Sequence, residues 1–258
     1  MTVDVLTPQQ ATVADRVVAE ESVLREHVVV YLSGAHAYGF PSPDSDLDLK
    51  AIHIAPTEAL LGLAPVVLTY DRAEVIEGVE IDYTSNELVN ALAGILLGNG
   101  NFLERVLGRT VFKSSSLHET LRPIVHATLS RRVYRHYRGF AAGQHRELEK
   151  QPTVKKLLYV LRTALTGTHL LLTGQLETDL TLLLEPYGLT DARELIAAKR
   201  AGERTAADPG LLEAWRPRLV EVQRRLDQAH VDSVLPDEPR DPALLEAWLL
   251  GARRSRLT

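Results

Sequence analysis

Residues 34–50 read GAHAYGFPSPDSDLDLK, and this stretch decides the fold. Gly34 and Gly39 bound a small-residue loop, Pro41-Ser42-Pro43 makes a turn, and aspartates follow at alternate positions 44, 46 and 48. Just upstream, Val28-Val29-Val30-Tyr31-Leu32 is a β-rich apolar run that stops at Ser33-Gly34, as a buried strand should. Downstream, residues 47–54 form a second strand that alternates over its first half. Leu47, Leu49 and Ala51 fall on one face, and Asp46, Asp48 and Lys50 on the other. The local plan is strand, glycine loop, strand, with carboxylates presented as the second strand begins.

Further along, residues 66–70 and 79–84 read as two more strands, antiparallel neighbours across Asp71-Arg72. In the second of these, Val79, Ile81 and Tyr83 share a face, while Glu80 and Asp82 point the other way. From Asn86 the period turns helical, up to the breaker Gly98-Asn99-Gly100-Asn101. Helices are expected over 131–150, 153–173, 191–200, 211–230 and 242–253, with Pro152 at a helix start and Gly174 at a helix end. The expected fold class is α+β: a small mixed or antiparallel sheet with flanking helices over residues 1–113, followed by a helical domain over 114–258.

The chain has 258 residues, 45% hydrophobic and 24% charged, an ordinary globular composition. It contains no cysteine, which excludes disulfides, thiolate metal sites and a cysteine nucleophile. The N-terminus lacks a basic segment followed by an apolar run, and the most apolar window, 157–173, is broken by Arg162, threonines, a glycine and a histidine. The expectation is a cytoplasmic protein with no membrane partner; the oligomeric state is left open. Residues 1–113 hold 7 basic against 16 acidic residues, and residues 114–258 hold 22 against 18. Residues 130–165 alone carry nine basic residues and two acids. An acidic front and a basic middle suit a cation meeting a polyanion, although solvated helix faces produce the same asymmetry.

Alternating aspartates have three chemical readings. One is a solvated strand edge or a turn, which suits Asp44. A calcium loop fails on spacing, because Leu49 stands where its glycine belongs and Ala55 where its glutamate belongs. The third is a magnesium site for phosphoryl or nucleotidyl transfer, in which hard oxygen ligands are shared between carboxylates and phosphates. Two cations about 4 Å apart stabilise both the attacking and the leaving oxygen of an in-line displacement. Asp46 and Asp48 are the candidate ligands, Asp82 on a neighbouring strand the third carboxylate, and Glu80 its substitute. Gly34 and Gly39 would let backbone N–H groups approach phosphate oxygens, and a short helix opening at the loop would add its positive end.

Gly34-Ala35-His36-Ala37-Tyr38-Gly39 followed by Ser45-Asp46-Leu47-Asp48 resembles the nucleotidyltransferases of the DNA polymerase β superfamily. More narrowly, it is similar to the branch of predicted bacterial nucleotidyltransferases associated with RNA-repair pathways, where a G-S-[RH]-A-Y-G loop precedes S-D-x-D. Gly98-Asn99-Gly100-Asn101-Phe102-Leu103-Glu104 resembles that branch's G-N-P-N-x-x-E, and Phe140 to Gln144 with Lys155-Lys156 its helical half. The resemblance covers residues 28–175. It implies that Asp46, Asp48 and Asp82 are the metal ligands and catalytic carboxylates, holding Mg²⁺ or Mn²⁺, with Asp82 accepting the proton of the attacking hydroxyl. Position 35 departs from the pattern: Ala stands where the superfamily has a phosphate-holding Ser, and Ser33 and Ser45 are the nearby hydroxyls.

The remaining candidates for binding a nucleoside triphosphate such as ATP are Gly34, His36 and Tyr38 in the loop and Lys155, Tyr159 and Arg162 on one helix face. Arg131, Arg135 and Arg138, interleaved with Tyr134 and Tyr137, form a second stripe suited to phosphates and bases, or to a solvated helix packed through its tyrosines. His53 reads as a core residue. The expected protein is a metal-dependent nucleotidyltransferase with the sheet facing the helical domain across a cleft, transferring a nucleoside monophosphate to an acceptor hydroxyl and releasing pyrophosphate. The resemblance implies an RNA end as acceptor. A small-molecule or protein hydroxyl, and a catalytically degenerate nucleotide- or RNA-binding module, are the alternatives.

Overall fold

A computed structural model of the chain describes residues 5–63, 65–201 and 209–257. In chain order its first elements are α1 (Pro8–Leu24), β1 (Glu26–Leu32), α2 (Gly34–Ala37), β2 (Leu47–Ile54), α3 (Thr57–Leu61), β3 (Thr69–Ile76) and β4 (Val79–Glu87). There follow α4 (Leu88–Leu96), α5 (Gly100–Leu107), β5 (Val111–Ser114), α6 (Ser116–Ala127), α7 (Val133–Lys150) and α8 (Val154–Thr173). The last are α9 (Leu180–Leu183), α10 (Ala192–Arg200), α11 (Pro209–Val231) and α12 (Pro242–Arg254). None of the described helices is long and apolar enough to cross a membrane.

The chain forms two compact units, one of residues 1–34, 46–129 and 239–258, the other of residues 35–45 and 130–238. The expected single boundary after residue 113 therefore differs from the grouping seen. Helices α6 and α12 belong with the sheet, and the glycine loop belongs with the later helices. The reason for α12 is a buried charge: Arg253 pairs with Glu87, which is wholly buried, and donates to the Ala55 carbonyl at 2.7 Å. Thr57 Oγ1 donates to the carbonyl of Arg253 at 3.0 Å, tying α3 to the same helix.

The sheet unit is a five-stranded mixed sheet in the order β3-β4-β2-β1-β5. β1 is antiparallel to β2 and to β5, β3 is antiparallel to β4, and β2 runs parallel to β4. All of β1 except Glu26 is buried, as its unbroken apolar run requires. Val13, Ala14, Val17 and Val18 of α1 pack with Leu47, Leu49, Ile81 and Tyr83 into one core. α1 starts cleanly because Thr7 and Gln10 close a capping box.

The hairpin corner expected at Asp71-Arg72 lies instead at Glu77-Gly78, both at positive φ, the geometry of a two-residue turn. β3 is an edge strand exposed along most of its length, so its charged residues mimic a turn in the sequence. The helix expected from Asn86 begins at Leu88, after Glu87 has capped it by accepting from Val89 N–H at 2.6 Å. The Gly98–Asn101 breaker ends α4 and at once starts α5, whose N-cap Asn99 accepts from Asn101 N–H at 3.0 Å.

In the second unit, α7, α8 and α11 build the core around Tyr137, Leu157, Leu161, Leu219 and Leu226, all nearly inaccessible. Thr153 caps α8 and Gly174 closes it with left-handed backbone. Gly167 permits the close packing of α8, since a Cβ there would meet Tyr137 at 2.6 Å.

Candidate active site

Parallel pairing of β2 with β4 sets Asp48 directly opposite Asp82 in the register. Opposite residues on neighbouring strands share a face, with strands about 4.8 Å apart. Both carboxylates lie on the polar face that the alternation indicated, while Leu47, Leu49, Ile81 and Tyr83 are buried behind them. The Lys50 ammonium lies 2.8 Å from Asp82 Oδ1 and 3.8 Å from Asp48 Oδ1. It also donates to the Asp82 carbonyl at 3.3 Å and to Thr84 Oγ1 at 3.5 Å.

The turn into the loop is built around Asp48. Ser33 N–H donates to the Asp48 carbonyl at 2.7 Å. Gly34 has φ +65°, and a Cβ on it would come within 1.9 Å of Asp48 Oδ2. No other residue fits there, on both backbone and steric grounds. Asp46 is half-buried just ahead of β2, and Glu80 is exposed two residues before Asp82. Among the described residues no three acidic or histidine side chains converge as a ready metal cage. The donor set nevertheless fits a divalent cation of the magnesium type. Such ions take one or two carboxylates and complete their shell with waters and substrate phosphates. Asp48 and Asp82 already converge on one cation, the ammonium of Lys50.

Beside this pair, Tyr31, Ser33, Lys50, Asn101, Glu104 and Arg105 line a small polar cavity of about 130 Å³. The Gly98–Glu104 motif thus brings Asn101 and the buried Glu104 into the neighbourhood of Lys50. Arg105 Nη1 donates to the Ala51 carbonyl at 2.9 Å and also to Asn86 Oδ1. Burial lowers its pKa to about 10, which leaves it protonated at neutral pH.

The other loop candidates lie in the helical unit. His36 and Tyr38 are buried. The Tyr38 ring meets Tyr159 edge-on at 5.6 Å and carries the Arg162 guanidinium 3.5 Å above its centroid. The helical spacing of Tyr159 and Arg162 therefore does place them together, as a buried cation–π cluster around the loop tyrosine. Lys155, one turn earlier on α8, is half-buried. Gly39 has φ +82°, and a Cβ there would sit 2.0 Å from Asp179 Oδ1.

Ser45 is buried and turned inward. Its Oγ accepts from Ser42 N–H at 3.0 Å and from the Lys199 ammonium at 2.8 Å. Lys199, 1% exposed, also donates to Ser42 Oγ at 2.7 Å. Lys199 is a residue that sequence reasoning missed: one lysine in an amphipathic helix carries no signal of this contact. Ser45 N–H donates to the Ser42 carbonyl at 3.0 Å, closing the turn that carries exposed Asp44, so Asp44 is a turn residue as expected.

The arginine stripe of α7 is largely engaged within its own unit. Arg131 donates to the carbonyls of Leu235 and Ser233 at 3.0 and 3.2 Å. Arg138 Nε and Tyr134 Oη both donate to Asp227, at 2.7 and 2.9 Å, and Tyr134 stacks on His230 at 4.2 Å. Arg135 is exposed, while Tyr137 is a core residue.

The mixed sheet with in-register aspartates at its polar face is of the polymerase β-like nucleotidyltransferase class. Within that class the chain belongs to the RNA repair pathway DNA polymerase beta family, RlaP, whose family model matches residues 10–250. It is 29% identical over 226 residues to "Uncharacterized protein MJ0002" of Methanocaldococcus jannaschii, covering 85% of this chain and 91% of that protein. A solved structure of a nucleotidyltransferase-like protein from Exiguobacterium sibiricum is similar over 95% of this chain and 79% of that one, at a TM-score of 0.33 and 10% identity.

Proposed function

We propose that the protein is a metal-dependent nucleotidyltransferase that moves a nucleoside monophosphate from a nucleoside triphosphate onto an RNA end. The acceptor oxygen bonds to the α-phosphorus, the bond from that phosphorus to the β-phosphate bridging oxygen breaks, and pyrophosphate leaves. The observation that carries this reading is the Asp48–Asp82 register pair, two carboxylates converging on one cation from adjacent parallel strands. The name of the family to which the chain belongs supports RNA as the acceptor class.

Asp48 and Asp82, with Asp46 ahead of the strand, are the residues that would hold Mg²⁺ or Mn²⁺. A divalent ion there supplies neutralisation of phosphate charge and polarisation of the α-phosphate. The remaining work belongs to the chain. Asp82, with a side chain 55% exposed, takes the proton of the attacking hydroxyl. Asp48 keeps its position through Ser33 and Gly34.

Incubation with α-labelled triphosphates, Mg²⁺ or Mn²⁺ and total RNA tests this. Label is expected on RNA and is expected to vanish in Asp48→Asn. Label on a small molecule or on protein would move the acceptor to another class, and triphosphate binding without transfer to any acceptor would refute the enzyme reading.

A further inference from the structure

Two carboxylates in register on adjacent strands repel unless a cation lies between them. The chain provides its own. Lys50 sits two residues after Asp48 on the same face, its side chain 19% exposed, and its ammonium reaches both Asp82 and Asp48. An ammonium and a divalent ion cannot occupy the same space between two carboxylates, so binding of the ion requires somewhere else for the lysine to go. That place is present: Lys50 also lines the cavity of about 130 Å³ that contains the buried carboxyl of Glu104 and the side chain of Asn101. This is room for an ammonium and a few waters, each water claiming about 30 Å³. The cavity's other cation, Arg105, donates to Ala51 and Asn86 and also feels the charge of Glu104, so the carboxyl would be shared by the lysine and not taken over by it.

We propose that Lys50 is a tethered counter-ion for the aspartate pair: it holds Asp48 and Asp82 when no divalent cation is bound and withdraws toward Glu104 when one arrives. The inference rests on the reading of these aspartates as metal ligands. Its consequence is selectivity. A free divalent ion displaces the lysine with only Glu104 to receive it, whereas an ion arriving with a triphosphate also brings anionic oxygens that can accept the displaced ammonium. The site therefore takes the metal–nucleotide complex in preference to the bare ion.

The test is titration of the full chain with Mn²⁺ in the absence of nucleotide, free Mn²⁺ being read by electron paramagnetic resonance. Thermal melting in the presence of a chelator is the second readout. Lys50→Met is expected to bind Mn²⁺ about tenfold or more tightly than the parent chain, since a competing charge within 4 Å is gone. It is also expected to melt at a lower temperature in chelator, because the carboxylates then face each other unopposed. Glu104→Gln is expected to bind Mn²⁺ more weakly, the displaced lysine having lost its carboxylate. Lys50→Gln replaces Lys50→Met should the latter not fold. Affinity unchanged within about twofold, or lowered, when the charge is removed would overturn the counter-ion role; unchanged affinity in Glu104→Gln would overturn the withdrawal. If Asp48→Asn abolishes Mn²⁺ binding while Lys50→Met leaves it alone, this inference falls and the proposed function stands. If Asp48→Asn leaves Mn²⁺ binding intact, the metal reading of the aspartates falls and takes the inference with it.

Discussion

Lys50 and Lys199 serve the same short stretch of chain in opposite ways. Lys50 lies between two carboxylates, its side chain 19% exposed. Lys199 is 1% exposed and donates to the hydroxyls of Ser42 and Ser45, which close the turn just before Asp46. The first is a charge near the surface, between the two carboxylates proposed above to accept another cation. The second is a desolvated charge, costly to bury and held in place by the hydrogen bonds that offset the burial. The two lysines separate what this chain keeps exchangeable from what it locks.

The exchangeable side gives the largest expected effect. Asp82→Asn or Asp48→Asn should lower transfer by about 10³-fold, the several kcal/mol of charge stabilisation that losing a ligand of the proposed metal site represents. Both variants should keep their melting temperatures, since the carboxamide fills the same space. Loss of fold in either would make the pair structural and erase the contrast with Lys199.

On the locked side, Lys199→Ala should cost about 3 kcal/mol of stability, from two serines losing their donor and from the volume left behind. Thermal or urea unfolding measures it. A change under about 0.5 kcal/mol would show Lys199 to be as replaceable as a surface residue.

The buried histidines of the sheet unit extend the locked side to pH. Burial, reinforced by the charges of Lys113 and Arg25, lowers the pKa of His27 to about 4, and burial likewise lowers that of His53 to about 4. The unfolded chain takes up protons on these residues below about pH 6.5, while the folded chain refuses them until about pH 4. Stability is therefore full above the window and falls as pH drops through it, by a few kcal/mol in sum. Urea melts at pH 7 and pH 4.5 should show this. His53→Asn, which can keep the contact to Ser85, should flatten about half of the slope.

The smallest effect belongs to the departure from the loop pattern. Ala35→Ser should tighten triphosphate binding by no more than about tenfold, the worth of one hydrogen bond. Ala35 is buried and its carbonyl already accepts from Phe40 N–H at 3.2 Å, so the loop is formed without the hydroxyl. A far larger gain would mean that the native loop is degenerate.

Much of this was legible in the sequence because its causes are local. The apolar run of β1, the alternation of β2 and the caps of α8 each follow from residues a few positions apart, and the fold class follows from their order. The place of Asp82 on the polar face of β4 was legible as well, through the alternation of that strand, although its parallel register with Asp48 was not. β5 and α6 were hidden because a four-residue strand with two half-buried and two exposed residues, and an ordinary amphipathic run, make weak patterns. The hairpin corner was misplaced because an edge strand and a turn are both polar. Lys199 and the Arg253–Glu87 pair were beyond reach, since each joins residues more than a hundred positions apart. Lys50 was visible on the aspartate face all along, but nothing in the alternation showed that its ammonium would reach across to β4.

The most direct test of the central claim is pyrophosphate release from a nucleoside triphosphate in the presence of RNA ends, comparing the parent chain with Asp82→Asn, with Mg²⁺ and with chelator. Release by the parent chain with Mg²⁺ is expected, and none above background in chelator or in Asp82→Asn. Equal release by Asp82→Asn and the parent chain would contradict that claim.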